Sequence, residues 1–193
     1  MLTVAQQDDT SEEKTLVDSA CRGNIQSISR LYEQYASRIY SYIYLRVGNH
    51  AEAEDITGQV FLKLVEKLPE FRWQGSGFAA WLFRIAHNHT IDALRKRTRE
   101  NQVPLEMGGS LPAHDGTDPQ RHAERVDSLN HLRAAVSQLS ELQAQVIVLK
   151  YGGELSNPEI ADIMSRTTNA VSSLHYEAIK NLNKILLQKG YIP

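Results

Sequence analysis

The 193-residue chain has a single cysteine, Cys21, which excludes an internal disulfide and a cysteine-built metal cluster and fits a reducing compartment. No apolar run is long enough to span a bilayer. The opening residues, MLTVAQQDDTSEEK, lack the cationic start and apolar core of a secretory signal, so the expected location is the cytoplasm, without direct membrane insertion. No Gly-rich phosphate loop follows a strand, and no Ser/His/Asp or paired-carboxylate arrangement stands out, so neither catalysis, a small-molecule substrate nor a cofactor is expected. His87 and His89 are two apart, which on a helix turns them to different faces, so no metal site is expected there. An excess of positive charge is missing too. Residues 1–100 carry 13 Lys+Arg against 13 Asp+Glu, and the remainder 8 against 10, for a net charge of −2. Any affinity for nucleic acid must come from local patches, not from a generic polycation.

Helical periodicity is present throughout, and no stretch alternates with the period of a strand, so the class is all-α. Residues 100–120, ENQVPLEMGGSLPAHDGTDPQ, hold three of the six prolines and three of the eleven glycines. They read as a flexible linker between two small helical modules, 1–99 and 121–193. In the first, Ser11 is a cap candidate for a helix over about 12–22. Ile25, Ile28, Leu31, Tyr32, Tyr35, Ile39, Ile43 and Val47 form an apolar stripe for a second helix. Residues 50–68 form a third, with Ile56, Val60, Leu64 and Leu68 in register and Pro69 as the stop. The second module reads as helices over about 119–139, 140–151, 156–164 and 168–188.

The stretch from Phe71 to Arg99, FRWQGSGFAAWLFRIAHNHTIDALRKRTR, carries the most chemistry. If helical from Phe78, it places Phe78, Trp81, Leu82, Ile85 and His89 on one face, and Arg84, Asn88 and Arg95 on another, with Arg99 one turn beyond. An apolar back, a cationic front and an aromatic loop at the entrance suit unpaired nucleic acid, whose phosphates need cations and whose bases need aromatic planes. A core helix with a solvated face is the competing reading. Further on, LSNPEIADIMSRTTNAVSSLHYEAIKNLNKIL has helix-turn-helix grammar. Ser156 is a cap, Pro158 sits in the first turn, Glu159 lies three residues after the cap, and a turn at Ser165–Asn169 leads into a longer helix. An ordinary helical hairpin is the frequent mimic.

In order, these parts resemble the extracytoplasmic-function (group IV) sigma factors of bacterial RNA polymerase, over roughly residues 24–99 and 127–187. The resemblance rests on AEAEDITGQVFLKL (51–64), FAAWLFRIAHNHTIDALRKR (78–97) and LSELQAQVIVLKYGGELSNPEIADIM (139–164). It implies a promoter-specificity subunit that contacts the clamp and flap surfaces of core polymerase and both double- and single-stranded promoter DNA. An anti-sigma factor is the further partner it implies. Helix 50–68 would dock on the clamp through Glu52, Glu54, Asp55, Gln59 and Phe61, with Ile56 and Val60 packing inward or at the contact. Loop 71–77 would hold a base flipped from the minus-ten element, through Phe71, Arg72, Trp73, Gln74, Gly75 and Ser76, with Asn88 reaching in from the helix. Gly75 and Gly77 would allow close backbone approach. Arg84, Arg95, Lys96, Arg97 and Arg99 would hold phosphates, while Trp81 belongs to the core. The minus-thirty-five element would fall to Asn169, Ser172, Ser173, His175, Tyr176, Lys180 and Lys184. The linker, mildly acidic through Glu106, Asp115 and Asp118, resembles the tether threaded near the polymerase active site; a plain spacer is the equal alternative.

Two departures from the family pattern stand out. The clamp-binding helix has Gly58-Gln59 where Gln-Glu is common, which adds a mid-helix glycine and removes a charge. The recognition helix has Ser172, Leu174, Glu177, Ile179 and Asn181 at positions that are commonly basic. Each missing phosphate contact weakens binding and flattens its salt dependence, so weak or partner-assisted minus-thirty-five recognition is expected, with Leu174 and Ile179 available to a protein interface. The rival readings are a stand-alone helix-turn-helix regulator, which leaves the aromatic loop unexplained, and a sigma-like adaptor acting through protein contacts.

Overall fold

In the computed structural model of the chain, residues 3–73, 77–99 and 132–188 are described, and all the regular structure among them is helical. Gln74, Gly75 and Ser76, the linker 100–120 and most of the helix expected over 119–139 lie outside the described residues; of that helix, 132–136 is helical.

Helix α1, Thr3–Cys21, begins well before the cap expected at Ser11. Nothing between Thr3 and Ser11 is a glycine or a proline, so the helix runs through the serine without interruption. Helix α2, Ile25–Val47, starts where the Asn24 side chain accepts from the Ser27 amide at 2.9 Å. It stops at Gly48, whose left-handed φ of 75° turns its amide back onto the Tyr44 carbonyl at 2.9 Å. Asn49 follows at once as the cap of α3, His50–Lys67, accepting from Glu52 at 2.9 Å. Pro69 then permits only a 3₁₀ turn, Leu68–Glu70, before the loop that leads into α4, Gly77–Arg99.

The core of this module lies between α2, α3 and α4. Leu31, Tyr35, Ile39, Tyr42 and Ile43 of α2 meet Ile56, Val60 and Leu64 of α3 and Phe78, Leu82 and Phe83 of α4, all buried. The apolar stripe read from α2 is buried at Leu31, Tyr35, Ile39, Ile43 and Val47. Ile25, at its start, is exposed, and Tyr32 is half exposed with its ring against Phe61 of α3. Cys21 is a half-buried free thiol, and burial together with Asp18 pushes its pKa up.

In the second module Ser140 caps α5, Glu141–Ile147, which continues as a π-helical turn over Val148–Gly152. Ser156 forms a full capping box with Glu159 at the start of α6, Asn157–Ile163. After a turn containing Ser165 at φ 52°, α7 runs over Thr168–Gln188. Ile160, Ala161 and Ile163 are buried against α7, which buries Val171, Ala178 and Leu182 in return.

The two modules pack on one another along α2 and α4. Phe83 of α4 is fully buried under the loop at Gly153, where an added Cβ would lie 2.8 Å from the Phe83 ring. Arg38 of α2 donates to the Gly153 carbonyl, with its Nε 3.5 Å from Glu154. Arg46, its side chain only 5% exposed, pairs with Glu141. Between them the Tyr42 hydroxyl meets His87 Nδ1 at 2.9 Å. Burial raises the Glu141 pKa, but hydrogen bonds from Gln145 and Arg46 outweigh it and leave the carboxyl below its usual range. Burial, and then the Arg46 charge, holds His87 below the ordinary imidazole value.

Two predictions follow from this packing. Gly58 lies mid-helix with open space where a Cβ would go, so Gly58→Ala stabilises by roughly 0.5–1 kcal/mol. Gly48→Ala, by contrast, forces a side chain into a left-handed φ against the Arg133 guanidinium and destabilises by about 1–2 kcal/mol; urea denaturation of the two variants measures both. The second prediction concerns pH. The unfolded chain protonates His87 near pH 6.5 while the folded chain resists, so the unfolded state binds more protons below that pH and stability falls on acidification. His50 and His175, also depressed chiefly by burial, act in the same direction. Thermal melts between about pH 7 and 5 should show a falling Tm, with a shallower fall in His87→Gln.

Candidate nucleic-acid and polymerase interface

Phe71 is only 7% exposed and lies at the centre of an aromatic nest. Its ring meets Trp73 edge-on at 5.3 Å and Phe78 at 5.5 Å, and tilts against Trp81 at 4.9 Å. It is therefore the floor of the loop and offers no open stacking plane. Trp73 is half-buried, and its indole Nε1 donates to Asp18 Oδ1 of α1 at 2.7 Å. Asp18 escapes sequence reasoning because it lies far from the loop along the chain and looks like any acidic residue of a solvated helix. Arg72 folds back locally, donating to the Pro69 carbonyl at 3.0 Å and the Phe71 carbonyl at 2.7 Å. Trp81 packs against Phe71 and Phe78, as expected of a core residue.

The front of α4 presents Arg84, Asn88, Arg95, Lys96 and Arg99, all exposed. Three of the α4 arginines already have acidic neighbours. Arg95 has Asp92 at 3.9 Å, Arg84 pairs with Asp162 of α6, and Arg97 donates to the Val47 carbonyl at 2.9 Å and faces Glu52 at 3.5 Å. Arg97 thus ties the end of α4 to the start of α3, and it occupies Glu52, which the sequence had placed on the polymerase face. Sequence could not reveal this, since the two residues sit on different helices and each reads alone as a surface charge.

On α3, Glu54, Asp55 and Gln59 are exposed, whereas Phe61 is buried at 8% and edge-stacked on Tyr32 at 4.7 Å. The outward apolar groups of this helix are instead Leu62, 69% exposed, and Val65. Asp55, Gln59 and Leu62 fall at i, i+4 and i+7, so the leucine continues the polar stripe on one face.

On α7, Asn169, Ser172, Ser173, Lys180 and Lys184 are exposed, and Tyr176 is 72% exposed. Ser172 accepts from Asn157 of α6 at 3.0 Å. His175 is half-buried beside Tyr151, 3.1 Å from its hydroxyl, and burial and then Lys150 lower its pKa, so it is neutral at neutral pH. Leu174 and Ile179 pack against the core, which leaves Tyr176 and Leu187 as the outward apolar groups of this helix. Among the described residues no group of His, Cys, Asp and Glu is placed to hold a metal, and no helix is long and apolar enough to cross a membrane.

Residues 31–100 match Sigma-70 region 2, and residues 129–182 match Sigma-70, region 4. The chain is 32% identical over 182 residues to the ECF RNA polymerase sigma factor BldN of Streptomyces coelicolor, covering 92% of this chain and 67% of that one. It is 28% identical over 180 residues to SigW of Bacillus subtilis, covering 90% and 96%. The fold matches CnrH, solved in complex with the cytosolic domain of CnrY, with a TM-score of 0.69 at 20% identity over 90% of this chain and 96% of that one. It also matches RpoE of Bartonella quintana, solved with the anti-sigma factor NepR, at 0.65 and 24% identity over 82% and 95%. With regions 2 and 4 in sequence order and a relative above 30% identity along most of its length, the chain belongs to the ECF sigma factors, the subunits that join core RNA polymerase to direct transcription initiation.

Proposed function

We propose that the chain opens and reads the minus-ten element with the aromatic nest at Phe71–Trp73 and the front of α4, and docks on core polymerase through α3. The observation that carries this reading is the junction of the two features. A half-buried indole, oriented by Asp18, stands at the entrance of a helix whose outward face is Arg84, Asn88, Arg95, Lys96 and Arg99. Extruding a base costs a few kcal/mol, and stacking on an aromatic side chain returns about 1–3 kcal/mol per base. The remainder falls to hydrogen bonds, for which Asn88 and the loop residues Gln74 and Ser76 are the candidates. Asp55, Gln59 and Leu62 supply a face with charge at one end and an apolar anchor at the other, a combination suited to a basic partner surface.

The C-terminal module takes the minus-thirty-five role with few cations. Lys180 and Lys184 are the α7 lysines, Glu177 opposes phosphate, and Asn169, Ser172, Ser173 and Tyr176 are the polar readers. Fewer phosphate contacts give weaker and less salt-sensitive binding, which shifts promoter choice toward the minus-ten contacts. An anti-sigma factor that covers these surfaces is the further partner proposed, in keeping with the complexes of CnrH and RpoE. The sparsely charged α7, with Tyr176 outward, also favours a second reading, an adaptor that binds polymerase and acts through protein contacts.

Run-off transcription with core polymerase separates the two. Trp73→Ala/Asn88→Ala is expected to lower initiation roughly tenfold or more, the rate equivalent of losing stacking plus a hydrogen bond, while leaving polymerase binding intact. Stable polymerase binding without initiation from any genomic promoter would favour the adaptor.

A further inference from the structure

The loop that leads into α4 has few polar anchors of its own. Among the described residues, Arg72 donates only to carbonyls of its own turn, and the Phe71 amide donates to the Leu68 carbonyl at 3.1 Å. The hydrogen bond that reaches this loop from another helix is the one from the Trp73 indole to Asp18 of α1, at 2.7 Å. Helix α1 is itself pinned at that point. Val17 just before Asp18 and Ala20 just after it are buried, and the Ser27 hydroxyl of α2 donates to Ser19 at 2.9 Å. The same helix supports another member of the aromatic nest. Glu13 accepts from the Tyr35 hydroxyl, and the Tyr35 ring meets Phe78 edge-on at 5.6 Å.

An indole has a single N–H donor and no acceptor. With that donor spent on Asp18, what Trp73 has left to offer a base is its plane. A carboxylate beside a nucleic-acid surface repels phosphate, so its charge needs an offset. Arg22 and Arg72 supply one, since both act on the neighbouring Cys21 thiol in the sense opposite to Asp18. A bond from an N–H to an ionised carboxylate is also stronger than one between neutral groups, so it holds the ring in one orientation. A ring that is already oriented loses less freedom when a base arrives on it. We propose that Asp18 is a positioning residue for promoter opening. It fixes the Trp73 ring in advance, so that α1, a helix with no DNA-facing role of its own, sets the plane on which an extruded base stacks. The proposal rests on the minus-ten reading of the loop above and adds to it a residue from outside the loop and outside α4.

The test uses the full chain, alone and with core polymerase. Its two tryptophans give two indole N–H signals in a proton–nitrogen correlation spectrum, and Trp73→Phe removes and so assigns one of them. In the unaltered chain that proton is expected to exchange with water more slowly, and to resonate further downfield, than in Asp18→Ala. Asp18→Asn, whose amide oxygen still accepts, should stay close to the unaltered chain on both counts. Asp18 is half-buried on the helix surface, so neither replacement disturbs the core, and unchanged helical content checks this. In run-off transcription Asp18→Ala should lower initiation roughly three- to tenfold, the fold-change of one lost hydrogen bond, with polymerase binding intact. Asp18→Asn should restore most of it. In a Trp73→Phe background, where no N–H remains to be held, Asp18→Ala should cost nothing further. An indole proton that exchanges equally fast in the unaltered chain and in Asp18→Ala would overturn the tie. Full initiation by Asp18→Ala, or a further loss in the Trp73→Phe background, would overturn the positioning role. So would an Asp18→Asn chain that keeps the indole signal yet loses initiation. Normal initiation by Trp73→Ala would instead overturn the minus-ten reading, with the indole signal still deciding whether Asp18 holds the ring.

Discussion

The burial of one face of α2 is the constraint on which the other elements depend. From Leu31 to Val47 that helix presents Tyr35, Ile39, Tyr42 and Ile43 to the interior, and α1, α3 and α4 all settle on it. Tyr35 and Tyr42 are the costly members, since each takes a hydroxyl into a dry environment. Each is satisfied by a different neighbour, Glu13 of α1 for Tyr35 and His87 of α4 for Tyr42. Burial drives both phenol pKa values up, so each hydroxyl keeps its proton and remains a donor. The two tyrosines therefore fix which helices lie beside α2 as well as filling space.

The same helix reaches across the seam between the two modules. Its arginines at positions 38 and 46 leave the core face at angles that meet the second module, and the Nε atoms of both are buried without a hydrogen-bond partner. A guanidinium held in this way is stabilised by its carboxylate and carbonyl partners only while the modules stay together. Separation returns it to water at little cost. Such a contact gives the modules orientation more than strength.

The site divides along the same line. The aromatic nest is held together by Phe71, Phe78 and Trp81 packing on one another and by Asp18 from outside the loop. The cationic front of α4 is open but already partnered at Arg84, Arg95 and Arg97. The chain as a whole carries a net charge of −2, which keeps affinity for bulk DNA low.

The local signals in the chain gave the order of the helices, with the cap at Ser156, the stop at Pro69 and a 3.6-residue apolar period all short-range. The family motifs were legible for the same reason. The local signals missed the start of α1, which begins at Thr3 and runs through the cap expected at Ser11, and the caps at Asn24, Asn49 and Ser140 emerged from the structure. Periodicity overreached at Ile25 and Tyr32, because it marks the face of the helix on which a residue lies and says nothing of how much of the side chain its neighbours cover. Only the tertiary structure decided that Phe71 is a floor, that Trp73 is held by Asp18, that Arg97 faces Glu52, and that Arg84 faces Asp162. A charged or aromatic side chain carries no mark of its partner in the sequence. Pairing across helices is set by how the whole chain packs, and that is a property of the sum of its contacts and of no single segment.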